Sequence, residues 1–312
     1  MIELIKNPNL DFMGKKAYAF TVSGILSLLG ILAAVQIGLG NANLGVDFAG
    51  GTAVQIKFAQ TVPLHDVRKA LEEGGLKDFD LQDLPTENKI LIRVKKQEEK
   101  LGGASEKITQ VLSQRFADKK PLVDSTTEIG PKVGSRLKQD ALWAVMVATL
   151  GILIYVAWRF QFRFGIGATI ATFHDVLAVL GIFYLLGKEM NLIVLSALLT
   201  IAGYSLTDTV VVFDRIRENM KRYLKEPVEV VINKSINEVL SRTIVTSFTV
   251  FLSSLALFLF GGEVIHDFAL AMLLGVIVGT YSSVFVASPV VIALGQSKRR
   301  ATGRQQPSKA KA

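Results

Sequence analysis

The chain has 312 residues, half of them hydrophobic, and 35 Lys and Arg against 27 Asp and Glu give a net charge of +8. With its positive mean hydropathy, this composition points to a membrane protein rather than a soluble domain. It has no cysteine, which excludes disulfides, thiol catalysis and thiolate metal sites, and its three histidines, His65, His174 and His266, lie too far apart in sequence to suggest a metal site.

Residues 1–16 form a short N-terminal segment carrying Lys6, Lys15 and Lys16. The stretch 17–39 has no charge. At about 1.5 Å per residue it is long enough to cross a hydrocarbon layer about 30 Å thick, and it is too long for a signal peptide, so it reads as an uncleaved anchor. Residues 40–140 read as one small α/β domain. Val46 to Phe58 ("VDFAGGTAVQIKF") turns to apolar alternation after its glycines, as a half-exposed strand does. Leu64 to Leu71 repeats at helical spacing and stops at Gly74 and Gly75. Phe79 to Leu84 and Lys89 to Val94 are expected strands joined by a turn at Pro85 to Asn88. A second helix opens at Ser105 and runs to about Phe116, and Leu122 to Ile129 gives a last strand. The order β, α, β, β, α, β is that of a ferredoxin-like sandwich.

Asp47 with Gly50 and Gly51 resembles a phosphate-cradling loop only superficially, because no lysine follows at the required spacing. We expect these residues to form a hinge where the chain leaves the membrane, the glycines allowing a bulge or a close backbone approach. Val133 to Asp140 then leads as a helix into a second crossing.

Residues 141–294 hold five further apolar stretches: 141–157, 165–186, 192–213, 243–260 and 268–294. Arg159 and Arg163 flank the turn between the second and third, a basic loop is expected at 214–242, and the tail 295–312 carries six Lys and Arg from Lys298 to Lys311. By the positive-inside rule both termini are expected in the cytoplasm and residues 40–140 outside it. The lysines of the exported domain do not contradict this, since long loops cross regardless of charge. Nucleic-acid binding is not expected, because no basic stripe with interleaved aromatics occurs.

Two carboxylates interrupt the apolar stretches. Asp175, in "TFHDVLAVLG", lies about 16 Å along its helix from Phe164, near mid-depth, and Asp208, in "LTIAGYSLTDTVVVFDRIREN", lies about 9 Å from Asp214 at the cytoplasmic boundary. An ionised Asp in mid-membrane costs at least about 2.5–3.5 kcal/mol on insertion scales, so such a residue faces protein or water and usually has a task. Ser196, Thr200, Gly203 and Thr207 recur at spacings of three and four, with Tyr204 beside them, and the expectation is that this small, polar stripe points inward and lines the site. The next span opens with "SRTIVTSFTVFLSS", where Arg242, Thr246, Thr249 and Ser253 share one side. Arg242 has two readings, a snorkelling anchor or a partner for Asp208. Asp175 likewise either pairs with His174 as structure or takes part in function. The tasks open to these acids are a proton relay, an intramembrane aspartyl-protease dyad with carboxyls about 3 Å apart, and a lock between helices. The dyad is disfavoured by the difference in depth and by the lack of a Gly-x-Gly-Asp pattern.

"LGVDFAGGT", "IAGYSLTDTVVVFDRIREN" and "SRTIVTSFTV" together resemble the SecF family, the smaller membrane subunit of the bacterial SecDF protein-export complex within the resistance-nodulation-division (RND) superfamily. The resemblance covers nearly the whole chain and departs only in details, such as threonine at position 207 where asparagine is common. It implies a heterodimer with SecD, association with the SecYEG translocon and with YajC and YidC, and contact with unfolded exported polypeptides and membrane lipid. It also implies use of the proton motive force to assist export during or after SecA-driven translocation. It implies no enzymatic activity and no cofactor beyond the proton as coupling ion, with sodium an alternative. It assigns Asp208 and Arg242 to a proton path and Asp175 to a less certain polar position, while Tyr204, Thr207, Thr200 and Thr246 are expected to line the helices by their spacing alone. The rival functions are a proton-driven drug or lipid exporter half of the same superfamily and a scaffold subunit without transport.

Overall fold

The computed structural model describes residues 8–77, 79–84, 88–94, 103–159 and 162–294. Residues 85–87 of the expected turn at Pro85 to Asn88, Lys6 and the basic tail 295–312 fall outside them. The chain divides into two compact units, one of Asn43–Ala144 with Glu189–Leu192 and one of Met1–Ala42, Val145–Lys188 and Ile193–Ala312, to which the first helix, α1 (Lys16–Gly38), belongs.

The α/β unit begins with a short helix α2 (Val46–Ala49) and a strand β1 (Gly51–Lys57), followed by α3 (Leu64–Glu73), β2 (Phe79–Leu84), β3 (Lys89–Val94), α4 (Gly103–Arg115) and β4 (Leu122–Ile129). The strands form one antiparallel sheet in the order β2-β3-β1-β4. β1 pairs with β3 so that Val54 meets Ile92 and Ile56 meets Ile90. Alternation puts these four on one face, where α3 and α4 cover them with Val67, Leu71, Ile108 and Leu112, all fully or almost fully buried. β4 is an edge strand and stays largely exposed.

As the alternation that follows the glycines predicts, β1 begins at Gly51; ahead of it Val46–Ala49 is helical, and Gly50 (φ +72°) and Gly51 (φ +135°) turn the chain out of α2 through backbone angles open chiefly to glycine. A Cβ on Gly50 would stand 3.0 Å from the Pro131 Cα, so the expected close backbone approach is present. Asp47 Oδ2 accepts the Leu192 amide at 3.0 Å and thereby holds the segment Glu189–Leu192. The Arg93–Glu189 ion pair ties the same segment to β3.

The second unit is helical. Among the described residues six helices are long and apolar enough to cross a membrane: α1, α5 (Pro131–Arg159), α6 (Phe162–Leu185), α7 (Leu192–Arg222), α8 (Val228–Phe260) and a last one that runs as α9 (Gly262–Ser282), a π turn at Ser283–Ala287 and a further helical stretch to Leu294. α1 and α6 approach through glycine: a Cβ on Gly181 would lie 2.7 Å from the Gly30 backbone nitrogen. Phe164, Phe213, Ile216, Ile232, Ile236 and Ala287 form the centre of the packing.

The expected loop at 214–242 is largely helical instead: α7 continues to Arg222 and α8 already begins at Val228. With 31 and 33 residues the two helices are about 46 and 50 Å long, well beyond the apolar layer. Their charged extensions are held together by side chains: Arg215 donates to Glu238 at 2.6 Å, and Asn219 donates to Ser235 at 3.0 Å and to Glu238 at 2.6 Å. α8 also grips the segment ahead of α1. Asn233 Oδ1 accepts the Phe12 amide at 2.8 Å, Asn237 Oδ1 accepts the Leu10 amide at 2.9 Å, and both carboxamides donate back to the Leu10 carbonyl.

The glycine contact makes a direct test of packing possible. Gly181→Leu must push apart two backbones and is expected to lower the thermal midpoint of the full chain in detergent by several degrees, for a cost of about 1–3 kcal/mol. Gly24→Leu, at a position where a Cβ would have no atom within 4 Å, is the control and should leave the midpoint unchanged.

Candidate functional site

Within the helical unit, four helices bring hydroxyl and carboxylate side chains to one buried place. The spacing of three and four along α7 puts Ser205, Asp208 and Thr209 on a common side. α6 contributes His174 and Asp175, α8 contributes Thr243 and Ser247, and the last helix contributes Thr280, Ser282 and Ser283 at the start of its π turn. π turns shift the side-chain register of a helix and occur often at functional sites. Here the extra residue sets Ser288, whose Oγ donates to the Ser283 carbonyl at 3.1 Å, one turn on.

Asp175 is fully buried. Its Oδ2 accepts the hydroxyl protons of Ser205 and, at 2.8 Å, of Ser282, and its Oδ1 lies 3.0 Å from His174 Nδ1. Both oxygens of this carboxyl are therefore met, which is what a buried carboxyl requires. Asp208 is placed otherwise. Only 7% of it is exposed, and it faces the hydroxyls of Ser283 on the π turn and Thr243 on α8, but its Oδ2 has no hydrogen-bond partner, nor has Thr243 Oγ1. Thr209 and Ser283 share a hydrogen bond at 3.1 Å beside it. One turn away the Tyr204 hydroxyl donates to Ser247 at 3.1 Å, and Thr280 donates to the same oxygen at 2.7 Å, bridging α7, α8 and α9. Among the described residues no three His, Asp or Glu side chains are grouped to hold a metal ion.

The structure separates residues that share a pattern in the sequence. Asp208 and Asp175 come to the same hydroxyl cluster, served by the neighbouring Ser283 and Ser282. Tyr204 lies half-buried at its edge. Thr200 and Thr207, with Ser196 and Gly203, do not point inward as expected. They form an exposed stripe on α7, and Arg242, Thr246, Thr249 and Ser253 form an exposed stripe on α8. Thr200, Thr207 and Thr246 spend their hydroxyls on carbonyls one turn back in their own helices. Arg242 makes no ion pair with Asp208, although its neighbour Thr243 faces that acid. The protease arrangement finds no support in this geometry, since the Asp175 oxygens are engaged by Ser205, Ser282 and His174.

The family model for the SecD/SecF protein export membrane protein, C-terminal part, matches residues 108–297, and the SecD/SecF GG motif matches residues 43–62, which include Gly50 and Gly51. The protein translocase subunit SecF of Thermodesulfovibrio yellowstonii is 61% identical over 299 residues, covering 95% of this chain and 98% of that one. The chain belongs to the SecF family of protein translocase subunits. SecF of Calditerrivibrio nitroreducens is 42% identical, over 96% of this chain and 99% of that one. Among solved structures, SecDF of Thermus thermophilus, described as a translocon-associated membrane protein, superposes with a TM-score of 0.81 at 38% identity over 93% of this chain. A SecDF structure in a super-membrane-facing form gives 0.70 at 36% identity over 97% of this chain. This chain spans only 39% and 41% of those SecDF chains.

The six span-capable helices and the SecF relatives make this a multi-pass membrane protein. Reading the sequence for isolated acids misses the hydroxyl residues that face them in this SecF-family chain, Ser205, Thr243, Ser282 and Ser283, and the Ser247–Thr280 pair that meets Tyr204. The signal is present in Thr280-Tyr281-Ser282-Ser283, four successive hydroxyl side chains inside an apolar helix.

The difference between the two acids predicts opposite responses. Asp175→Ala strands Ser205, Ser282 and His174 together and is expected to destabilise the full chain by at least about 2 kcal/mol, read as a clear fall in its thermal midpoint in detergent. Asp208→Asn removes a charge whose Oδ2 has no partner and should leave that midpoint unchanged or raise it. Equal losses in both variants would contradict the geometry.

Proposed function

We propose that this chain is the SecF-type half of a SecD–SecF pair that uses the proton motive force to assist protein export through the SecYEG translocon. The observation that carries this reading is the buried Asp208 carboxyl with an oxygen left unpartnered, in a span-capable helix and facing hydroxyls of two other helices. A group so placed is costly in either charge state for a purely structural task, and intramembrane acids of this kind serve ion pathways. Family membership supports the pairing with SecD, and the SecDF structures, whose chains exceed this one by more than half their length, support a complementary portion supplied by that partner.

In this reading the protein lies in the bacterial inner membrane with both termini in the cytoplasm. The α/β unit, ferredoxin-like by its β-α-β-β-α-β order and its sheet order β2-β3-β1-β4, lies outside and meets unfolded exported chains. Asp208 takes up and releases the coupling ion, a proton, and sodium is the alternative ion. No enzymatic step and no further cofactor is needed. YajC and YidC are further associates by family resemblance. Protonation of Asp208 removes a buried charge, which alters its attraction to Thr243 and Ser283 and to Arg242 beside Thr243. α7 and α8 then repack against SecD. The α/β unit follows because its ends continue directly into α1 and α5, with the Asp47, Gly50 and Gly51 segment as the hinge.

The exposed stripes on α7 and α8 are the surface that SecD covers. Small and hydroxyl side chains allow close helix approach in a membrane, and Arg242 joins the proton path when that face is closed. Gly203→Trp would hold the two subunits apart and is expected to cut recovery of SecD with tagged SecF at least about tenfold. Undiminished recovery would place the interface elsewhere.

The relay itself is tested by export into vesicles that contain both subunits and the translocon, with and without an imposed pH gradient. Asp208→Asn is expected to lose the gradient-dependent part of export while keeping the part driven by ATP. Gradient-stimulated export equal to that of the parent would sink the relay.

A further inference from the structure

A second ionisable group in the bundle has no part in the relay described above. His174 lies on α6 with 4% of its surface exposed, and its two ring nitrogens differ in kind. Nδ1 is 3.0 Å from Asp175 Oδ1, whereas Nε2 is buried and meets no hydrogen-bond partner. The other oxygen of Asp175 accepts the Ser205 hydroxyl proton and lies 2.8 Å from the Ser282 hydroxyl, which also reaches the Gly279 carbonyl at 3.1 Å, and with Asp175 as a carboxylate Oδ1 requires the hydrogen on Nδ1. The tautomer follows: Nδ1 carries the proton and Nε2 presents a bare lone pair.

A structural histidine would use both nitrogens or turn the idle one to solvent. This one does neither. Its neighbours offer Nε2 no substitute, because the Tyr281 hydroxyl, on a ring centred 6.3 Å from the imidazole, donates to the Ala19 carbonyl at 2.7 Å and shares a hydrogen bond with Ser23 at 3.0 Å. Most ionisable groups on the elements around α6 lie toward the ends of those helices in the sequence. α7 brings Asp208 and Tyr204, within a turn of Ser205; α5 brings Tyr155, which is half-exposed; α1 has no charged side chain between Ala17 and Gly38; and Arg242 of α8 lies on the exposed stripe.

We propose that His174, oriented by Asp175, is a second proton-binding position of the bundle, taking up and releasing a proton at Nε2. On uptake an N–H bond forms at Nε2 as a hydronium ion gives up its proton and becomes water, and on release that N–H bond breaks and water takes the proton back. The imidazolium that forms keeps its Nδ1–H on Asp175, whose carboxylate offsets the new charge, as in other carboxylate–histidine pairs. Ser282 on Asp175 and the adjacent Ser283 facing Asp208 connect the two positions through one turn of the last helix, so occupancy of one alters the hydrogen bonding of the other. The consequence for export rests on the proton-coupled reading above; the titration of His174 does not.

The test uses the full chain with its SecD partner in lipid bilayers, labelled with 15N in the histidine rings. With three histidines in the chain, subtraction of the His174→Asn spectrum assigns the signal. The same variant is the functional control, since the asparagine amide keeps a donor where Nδ1 stands and cannot take a proton. The expected result is one N–H, at Nδ1, in the neutral ring and a second, at Nε2, once the sample is acidified, in the parent and in Asp208→Asn alike. An Nε2–H tautomer at high pH, or a ring that keeps one protonation state throughout, would overturn the proposal. Should Asp208→Asn export like the parent while His174 still titrates, the relay fails and the second position stands.

Discussion

A carboxyl group withheld from water must be given hydrogen-bond donors by the protein, and the helical unit is arranged around that requirement. Asp175 has its donors from three directions: a histidine beside it on α6, a serine on α7 and a serine on the last helix. Each contact fixes the rotation of a helix about its own axis, because a helix turned by one residue would carry its donor away from the acid. The glycine approach between Gly30 and Gly181 fixes the depth at which α1 and α6 meet. Asp208, one turn along α7 from Ser205, is thereby delivered to the junction of α7, α8 and the π turn without a full set of partners of its own. The satisfied acid holds the frame in which the unsatisfied one is kept.

This division of labour agrees with how polar groups behave in apolar surroundings. A complete hydrogen-bond network is rigid and specifies one packing, while an incomplete one is a reservoir of free energy that a change of charge can release. The two arrangements lie side by side and share successive residues of one helix, Ser282 and Ser283. The π turn beginning at Ser283 interrupts the regular helix at that point, where a small repacking is least costly.

Much of the architecture is legible in the residues. Six apolar stretches correspond to the six long helices, and the strands at Phe79–Leu84, Lys89–Val94 and Leu122–Ile129 appear with the expected bounds, because alternation over six to eight residues leaves little freedom of register. The short helix α2 ahead of β1 escapes such a reading because it spans four residues, too few for a helical period to show, and the positive φ of the two glycines that follow it leaves no periodic trace. Charge alone suggests a loop at 214–242, yet Arg215, Asn219, Ser235 and Glu238 recur at helical spacing and meet one another across two helices. Ser196, Thr200, Gly203 and Thr207 do share one side of α7, but that side is not the one the chain's own helices cover. Spacing shows that residues share a face and cannot show what will lie against it.

The paired carboxamides of Asn233 and Asn237, set one turn apart on α8, read the backbone of Leu10 to Met13 as an adjacent strand would, and Phe12 and Met13 drop into the core behind them. The entrance to the first long helix is therefore moored to the fifth. A chain shortened past Met13, or carrying a rigid fusion set directly against Leu10, would cast off that mooring and leave two amide side chains with nothing to hold.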